Sequence, residues 1–169
     1  YLESVLQELS QAESEQDFND IRTELTDGGY IRQRGKKQSG FQRASRPREF
    51  RTSAGLRVLV GRSNRQNDRL TTRTAEKWDL WFHTQKIHGS HVILSTSGEQ
   101  PDAQSIAEAA SLAAYFSQAQ SSTKVPVDFT QVKFVKKPAA AKPGMVVYTN
   151  YQTVLADPNE ELVKHSLVK

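Results

Sequence analysis

Apolar positions along the chain change period twice. In residues 1–25, Leu2, Val5, Leu6 and Leu9 recur at helical spacing, and Phe18, Ile21 and Leu25 resume it. The stripe is narrow and its flanks are charged, the form of one coiled-coil arm without its partner. Asp27-Gly28-Gly29 closes the helix with residues tolerant of positive φ. Residues 31–48 then lose periodicity, carry Gly, Ser and Arg around a single aromatic, and read as a basic linker.

From Leu56 the period shortens to two. Leu56, Val58 and Val60 alternate with Arg57 and Leu59, a strand ending at Gly61. Residues 64–77 read as a short helix with Asn64 as the candidate N-cap. Trp78–Thr84 and His91–Thr96 read as strands around a loop centred on His88-Gly89. Pro101 to about Gln120 is a helix with Asp102 in its first turn and a small-residue face of Ile106, Ala109, Ala110, Ala113 and Ala114. Val125–Val135 and Met145–Leu155 are further strands, separated by the basic turn from Lys136 to Gly144. Asp157-Pro158 opens a tail. The order β, α, β, β, α, β, β predicts an α+β fold, a mixed β-sheet packed with helices and preceded by the coiled-coil-type helix. Three segments follow: residues 1–27 as the end of a coiled coil, 28–49 as a flexible basic linker, and 50–169 as the domain proper.

Composition narrows the class. Of 169 residues, 36% are hydrophobic and 25% charged, the balance of a soluble domain with some polar sequence mixed in. No run approaches the eighteen apolar residues of a membrane span. Cysteine is absent, which excludes disulfides and thiolate sites. The chain opens Tyr1-Leu2-Glu3 with neither an initiator Met nor a signal pattern, as a piece of a longer protein does.

Charge changes the picture most. Residues 1–27 hold eight acids against Arg22, a net of −7, whereas residues 28–73 hold thirteen Lys and Arg against Glu49 and Asp68, a net of +11. Arginine outnumbers lysine there by eleven to two. Its planar fork suits phosphate and can stack on bases, so a polyanion is the expected partner rather than a membrane. A plain solvated basic linker remains the alternative for residues 32–48.

Two segments carry candidate chemistry. In G61-R-S-N-R-Q-N-D-R-L-T-T-R73 a strand opens into a helix, where free backbone N–H groups and the dipole favour phosphate. Arg65, Arg69 and Arg73 fall on one helix face beside Arg62. Asn64, Asn67 and Asp68 could cap the helix, brace arginine or read a base edge. In W78-D-L-W-F-H-T-Q-K-I-H-G-S-H-V-I-L94, strand alternation puts Asp79, Trp81 and His83 on one face and Trp78, Leu80 and Phe82 on the core face. Trp81 could stack a base and His83 bond a phosphate or sugar, or Asp79 and His83 could pair for structure alone. His83, His88 and His91 fit no standard metal spacing. Ser90 and His91 point to opposite strand faces and form no nucleophile elbow. Neither a metal, a cofactor nor a catalytic constellation is expected.

These residues resemble a known family. The strand with GRSNRQNDRLTTR, the DLWFHTQKIHGSHVIL hairpin, and the helix SIAEAASLAAYFSQAQSS followed by VPVDFTQVKFVKKP look like the NFACT-R domain, from about Phe50 to Pro158. That domain lies in the C-terminal part of NFACT proteins, ribosome-associated quality-control factors long described in bacteria as fibronectin-binding-like. The resemblance carries over Gly61, Arg62, Asn64, Asn67, Asp68, Leu70 and Thr71 in the first motif. In the second it carries over Asp79, Trp81, His83, Gly89, Ser90, His91 and Val92. The family usually has Pro where this chain has His88, and the Arg-rich insert is no part of its motif.

The resemblance implies an RNA-binding module acting in the cytoplasm. It implies large ribosomal subunit RNA and tRNA as partners during C-terminal tailing of stalled nascent chains, beside coiled-coil and N-terminal domains of a parent protein. The acid-and-arginine pair important for tailing belongs to that N-terminal domain, so this piece is expected to bind rather than catalyse. The expected RNA contacts are Arg62, Asn64, Arg65, Asn67, Asp68, Arg69, Arg73, Trp81, His83, Lys86, Ser90 and His91. A matrix-binding adhesin domain is the alternative.

Overall fold

A computed structural model describes residues 1–33, 35 and 45–169. Most of the expected Arg-rich segment, residues 34 and 36–44, lies outside the described residues.

The N-terminal stripe forms two helices rather than one, α1 over Leu2–Gln11 and α2 over Glu15–Asp27. The break has a local cause. Ser14 Oγ accepts the Asp17 N–H at 3.1 Å while Asp17 Oδ2 accepts the Ser14 N–H at 3.2 Å, a capping box that starts a second helix. Val5 and Ile21 are buried, whereas Leu2, Leu6, Leu9 and Phe18 stay exposed on the outer side of the hairpin.

Six strands form one sheet in the order β1-β2-β4-β3-β5-β8: β1 Arg48–Arg51, β2 Arg57–Val60, β3 Leu80–Thr84, β4 Val92–Leu94, β5 Val125–Gln131 and β8 Gln152–Ala156. Every neighbouring pair is antiparallel, so the sheet is not mixed as expected. The helix α4 (Ala103–Tyr115) carries the chain from β4 past β3, so that β5 pairs antiparallel on the far side. β1 begins at Arg48, two residues inside the expected linker. The strand expected to run from Val125 to Val135 ends at Gln131 in a single 3-10 turn, Val132–Phe134. A two-stranded ribbon, β6 (Val135–Lys136) with β7 (Val147–Tyr148), follows.

Helix α4 begins at Asp102, whose carboxylate accepts the Ser105 N–H at 3.0 Å as the N-cap. Its alanine face brings the backbone close to one side of the sheet, where Phe50, Val58, Val60, Phe82, Val92 and Leu94 are buried against it. The tail forms a short helix α5, Glu160–Ser166, whose Leu162 and Val163 extend this core. The sheet's second side is also apolar: Leu59, Trp81 and Ile93 lie across three adjacent strands and pack with Leu70 and Val132. A sheet covered on both sides explains why β2, β3 and β4 read as nearly continuous apolar runs. Among the described residues no helix is long and apolar enough to cross a membrane.

Candidate nucleic-acid interface

Helix α3, Asn64–Arg69, starts at the junction expected to hold phosphate, but Ser63 rather than Asn64 is its cap: Ser63 Oγ accepts the Gln66 N–H at 3.2 Å. The expected helix over 64–77 changes at Leu70 into a π-helical turn, Leu70–Thr74. That turn places Leu70 in the second core and carries Arg73.

The asparagines of the first motif are structural. Asn67 is 3% exposed, and its Oδ1 accepts the His91 N–H at 3.1 Å. Gly61 must lack a Cβ because one would stand 1.8 Å from that same oxygen. Asn64, also buried, donates through Nδ2 to Ser4 Oγ at 3.0 Å and to Glu24 at 3.3 Å. Asp68 Oδ1 accepts the Gly144 N–H at 2.9 Å, and its other oxygen pairs with Lys137 at 3.1 Å.

The histidines and Trp81 are likewise fixed from within. His91 is 2% exposed, bonded through Nδ1 to Thr71 Oγ1 at 2.8 Å and through Nε2 to the Gly144 carbonyl at 3.2 Å. The carbonyl can only accept, so Nε2 carries a proton, and in the neutral ring Nδ1 accepts from the Thr71 hydroxyl. Burial, reinforced by nearby His83, pushes its pKa down to about 3. His83 is partly buried and its pKa is lowered chiefly by burial. Asp79 does not pair with His83; it accepts the N–H groups of Glu76 at 2.9 Å and Thr96 at 3.1 Å. Across the sheet His83 instead faces Asp128, which accepts from Tyr148, Thr153 and Gln85.

Trp81 is 1% exposed, packed among His83, His91 and Tyr148 at centroid distances of 5.7, 5.3 and 4.7 Å. It therefore offers no free face for a base to stack on, contrary to expectation. Trp78, expected in the core, precedes β3 and is 47% exposed. Ser90 is buried, its N–H bonded to the Phe116 carbonyl at 2.9 Å.

The arginines divide into two sets. Arg62 pairs with Asp17 at 3.4 Å and Glu13 at 3.5 Å, and Arg65 pairs with Asp27 at 2.6 Å. Arg48 is buried beneath the same hairpin, donates to the Gln11 carbonyl at 2.7 Å and lies over the Phe116 ring. The acidic hairpin thus covers the first part of the basic stretch. Arg69 and Arg73 are exposed and, among the described residues, make no ion pair; Lys86, at φ 58°, is exposed too.

Composition by segment hid three further cations. Lys77 is joined to the second arm because its carbonyl accepts the Lys133 N–H at 3.1 Å, and Leu70 packs in one cluster with Val132 and Val135. Lys77 thus lies beside Lys133, and Arg69 and Arg73 flank the Leu70 that packs with the neighbours of Lys133 and Lys136; all five are exposed and make no ion pair among the described residues. The signal available in sequence was the basic turn after β5. Among the described residues no group of three His, Cys, Asp or Glu is arranged to hold a metal.

This surface lies within residues 46–150, which match the family model described as the NFACT protein RNA binding domain. The chain belongs to this NFACT family. It is 45% identical over 165 residues to the Rqc2 homolog RqcH of Bacillus subtilis (strain 168), covering 96% of this chain and 28% of that protein. It is 39% identical over 165 residues to the Rqc2 homolog RqcH of Streptococcus suis (strain 05ZYH33), covering 97% of this chain and 29% of that protein. Among solved structures, it is similar to the C-terminal part of the fibronectin/fibrinogen-binding protein from Streptococcus suis. That match has a TM-score of 0.91 and 38% identity, over 99% of this chain and 66% of the solved one. The chain spans less than a third of the length of these curated relatives.

Proposed function

We propose that this chain is the RNA-binding module of a cytoplasmic ribosome-associated quality-control factor, engaging obstructed large ribosomal subunits and tRNA while stalled nascent chains are tailed. One observation carries the reading: the exposed cations Arg69, Arg73, Lys77, Lys133 and Lys136, on two segments packed together, fall inside the region matched by the RNA-binding family model. Side chains free of carboxylate partners can exchange counterions for phosphates, which is where most nucleic-acid affinity arises. Arg62 and Arg65 contribute less, being already neutralised by the hairpin. The role is one of binding, in a longer protein whose other domains supply charged tRNA handling.

The test is binding of this chain to tRNA and to purified large ribosomal subunits across a salt series. Each phosphate neutralised contributes a slope of roughly −0.7 to −0.9 in log affinity against log salt. Arg69→Glu, Arg73→Glu and Lys133→Glu combined removes that dependence and most of the affinity. Unchanged affinity and slope in this variant, with its thermal transition intact, would overturn the reading.

A further inference from the structure

Between α1 and the β3–β4 hairpin lies a cleft of about 260 Å³, lined by Ser4, Gln7, Glu8 and Gln11 on one side and by Trp81, His83, His91 and Tyr148 on the other. It differs in kind from the cationic track. Three polar groups that line it are buried and under-bonded: Gln11 Nε2 and Trp81 Nε1 have no hydrogen-bond partner, and the Glu8 carboxyl has only the Asn64 backbone N–H near it. Glu8 is 8% exposed and Trp81 1%, so bulk solvent does not satisfy them. Leaving such groups under-bonded costs free energy, and three of them turned to one cleft is a feature that packing alone does not demand.

From these groups we infer that the cleft is a binding pocket for a single nucleobase turned out of an RNA strand. The inference rests on the RNA-binding reading. The inner wall is aromatic: Trp81 is closed beneath His83, stacked on it at an interplanar angle of 6°, and Tyr148, 4.7 Å from the indole centroid, so the partly buried His83 and Tyr148 are the rings a base would meet. Around it, the under-bonded groups are two donors, the indole N–H and the Gln11 amide, and a carboxyl that both accepts and, when protonated, donates. Every nucleobase presents adjacent donors and acceptors on one edge, which is how single-stranded bases are read when splayed against aromatic side chains. The volume lies just below the range of about 300–1,000 Å³ typical of small-molecule sites, so it admits one heterocycle and not a dinucleotide.

The surroundings fit an RNA strand entering from outside. Lys86 and His88 stand on the rim, where a sugar-phosphate backbone would pass. Gly144 and Met145 line the opposite rim, and Gly144 N–H is bonded to Asp68, next to Arg69. The pocket mouth is therefore joined through this loop to the cationic track. Burial, together with Glu24 nearby, raises the Glu8 pKa to about 9, so its carboxyl keeps a proton at neutral pH and can donate as well as accept.

The experiment uses the whole chain carrying Trp78→Phe, so that one indole N–H resonance remains. It is titrated to millimolar levels with AMP, GMP, CMP and UMP, and separately with ribose 5-phosphate, while tRNA binding is measured in parallel. At least one mononucleotide should shift the Trp81 indole resonance saturably, and ribose 5-phosphate should not. Glu8→Leu should weaken that mononucleotide by about tenfold, equivalent to about 1.4 kcal/mol. If Glu8→Leu fails to fold, Gln11→Ala should weaken it in the same direction. No shift by any mononucleotide while tRNA binds normally overturns the pocket and leaves the RNA reading standing. An equal shift with ribose 5-phosphate also overturns it, by making the cleft a phosphate site. Loss of tRNA binding in the unaltered chain counts instead against the RNA reading.

Discussion

Asn67 Oδ1 accepts the His91 N–H at 3.1 Å in space that exists only because Gly61 has no side chain. Three residues spread over two motifs are thus one structural unit. Gly61→Ala would force Asn67 out and leave the buried His91 N–H unpaired, a loss of about 1–3 kcal/mol. Urea unfolding of the variant should show a lower midpoint with an unchanged slope.

Arg65→Ala serves as the contrast. Its pair with Asp27 joins two side chains that are 41% and 56% exposed. Such pairs contribute about 0–1 kcal/mol, so the unfolding midpoint should hardly move. The result to watch is tRNA affinity, which should fall far less than for Arg69→Ala.

Two buried groups set opposite limits on pH stability. Glu8 holds its proton up to about pH 9 when folded but only to about 4.5 when unfolded, so its contribution is fully present below 4.5 and is lost as pH rises towards 9. His91 stays neutral down to about pH 3 when folded, against 6.5 when unfolded, so stability also falls as pH drops from 6.5 towards 3. Glu8→Gln removes only the first effect. Its thermal transition should exceed that of the unaltered chain at pH 8, and the difference should shrink at pH 5.

Tryptophan fluorescence separates the two indoles. Trp81 is 1% exposed and Trp78 47%. Iodide should quench Trp78 and spare Trp81, so Trp78→Phe should leave emission that resists quenching. Strong quenching in that variant would contradict the burial of Trp81 and the second core around it.

Much of the architecture could be read from the chain. The alternation at Leu56–Val60 and the alanine face of α4 placed two elements correctly because Val58, Val60 and the alanines share the first core. Trp81 went astray for a physical reason. Strand alternation identifies two faces, but only the packing of Leu70, Val132 and Tyr148 reveals that the second is covered as well. Arg62 and Arg65 were legible as cations, and the excess of acid in residues 1–27 was legible too. That one would neutralise the other depended on a contact across some forty residues, beyond the reach of local spacing. Lys77, Lys133 and Lys136 were overlooked because their segment carries as many acids as bases overall.

The hairpin's grip on the sheet domain has a mechanical meaning. Its links to Arg62, Arg65 and Arg48 include carboxylate-to-guanidinium pairs. Ionic contacts at a surface weaken once the Debye length falls below their reach, about 8 Å at physiological salt and about 3 Å at 1 M. The exposed part of the joint, Arg65 with Asp27 and Arg62 with Glu13, is therefore a coupling whose stiffness follows ionic strength, while the buried Arg48 and Asp17 are screened less.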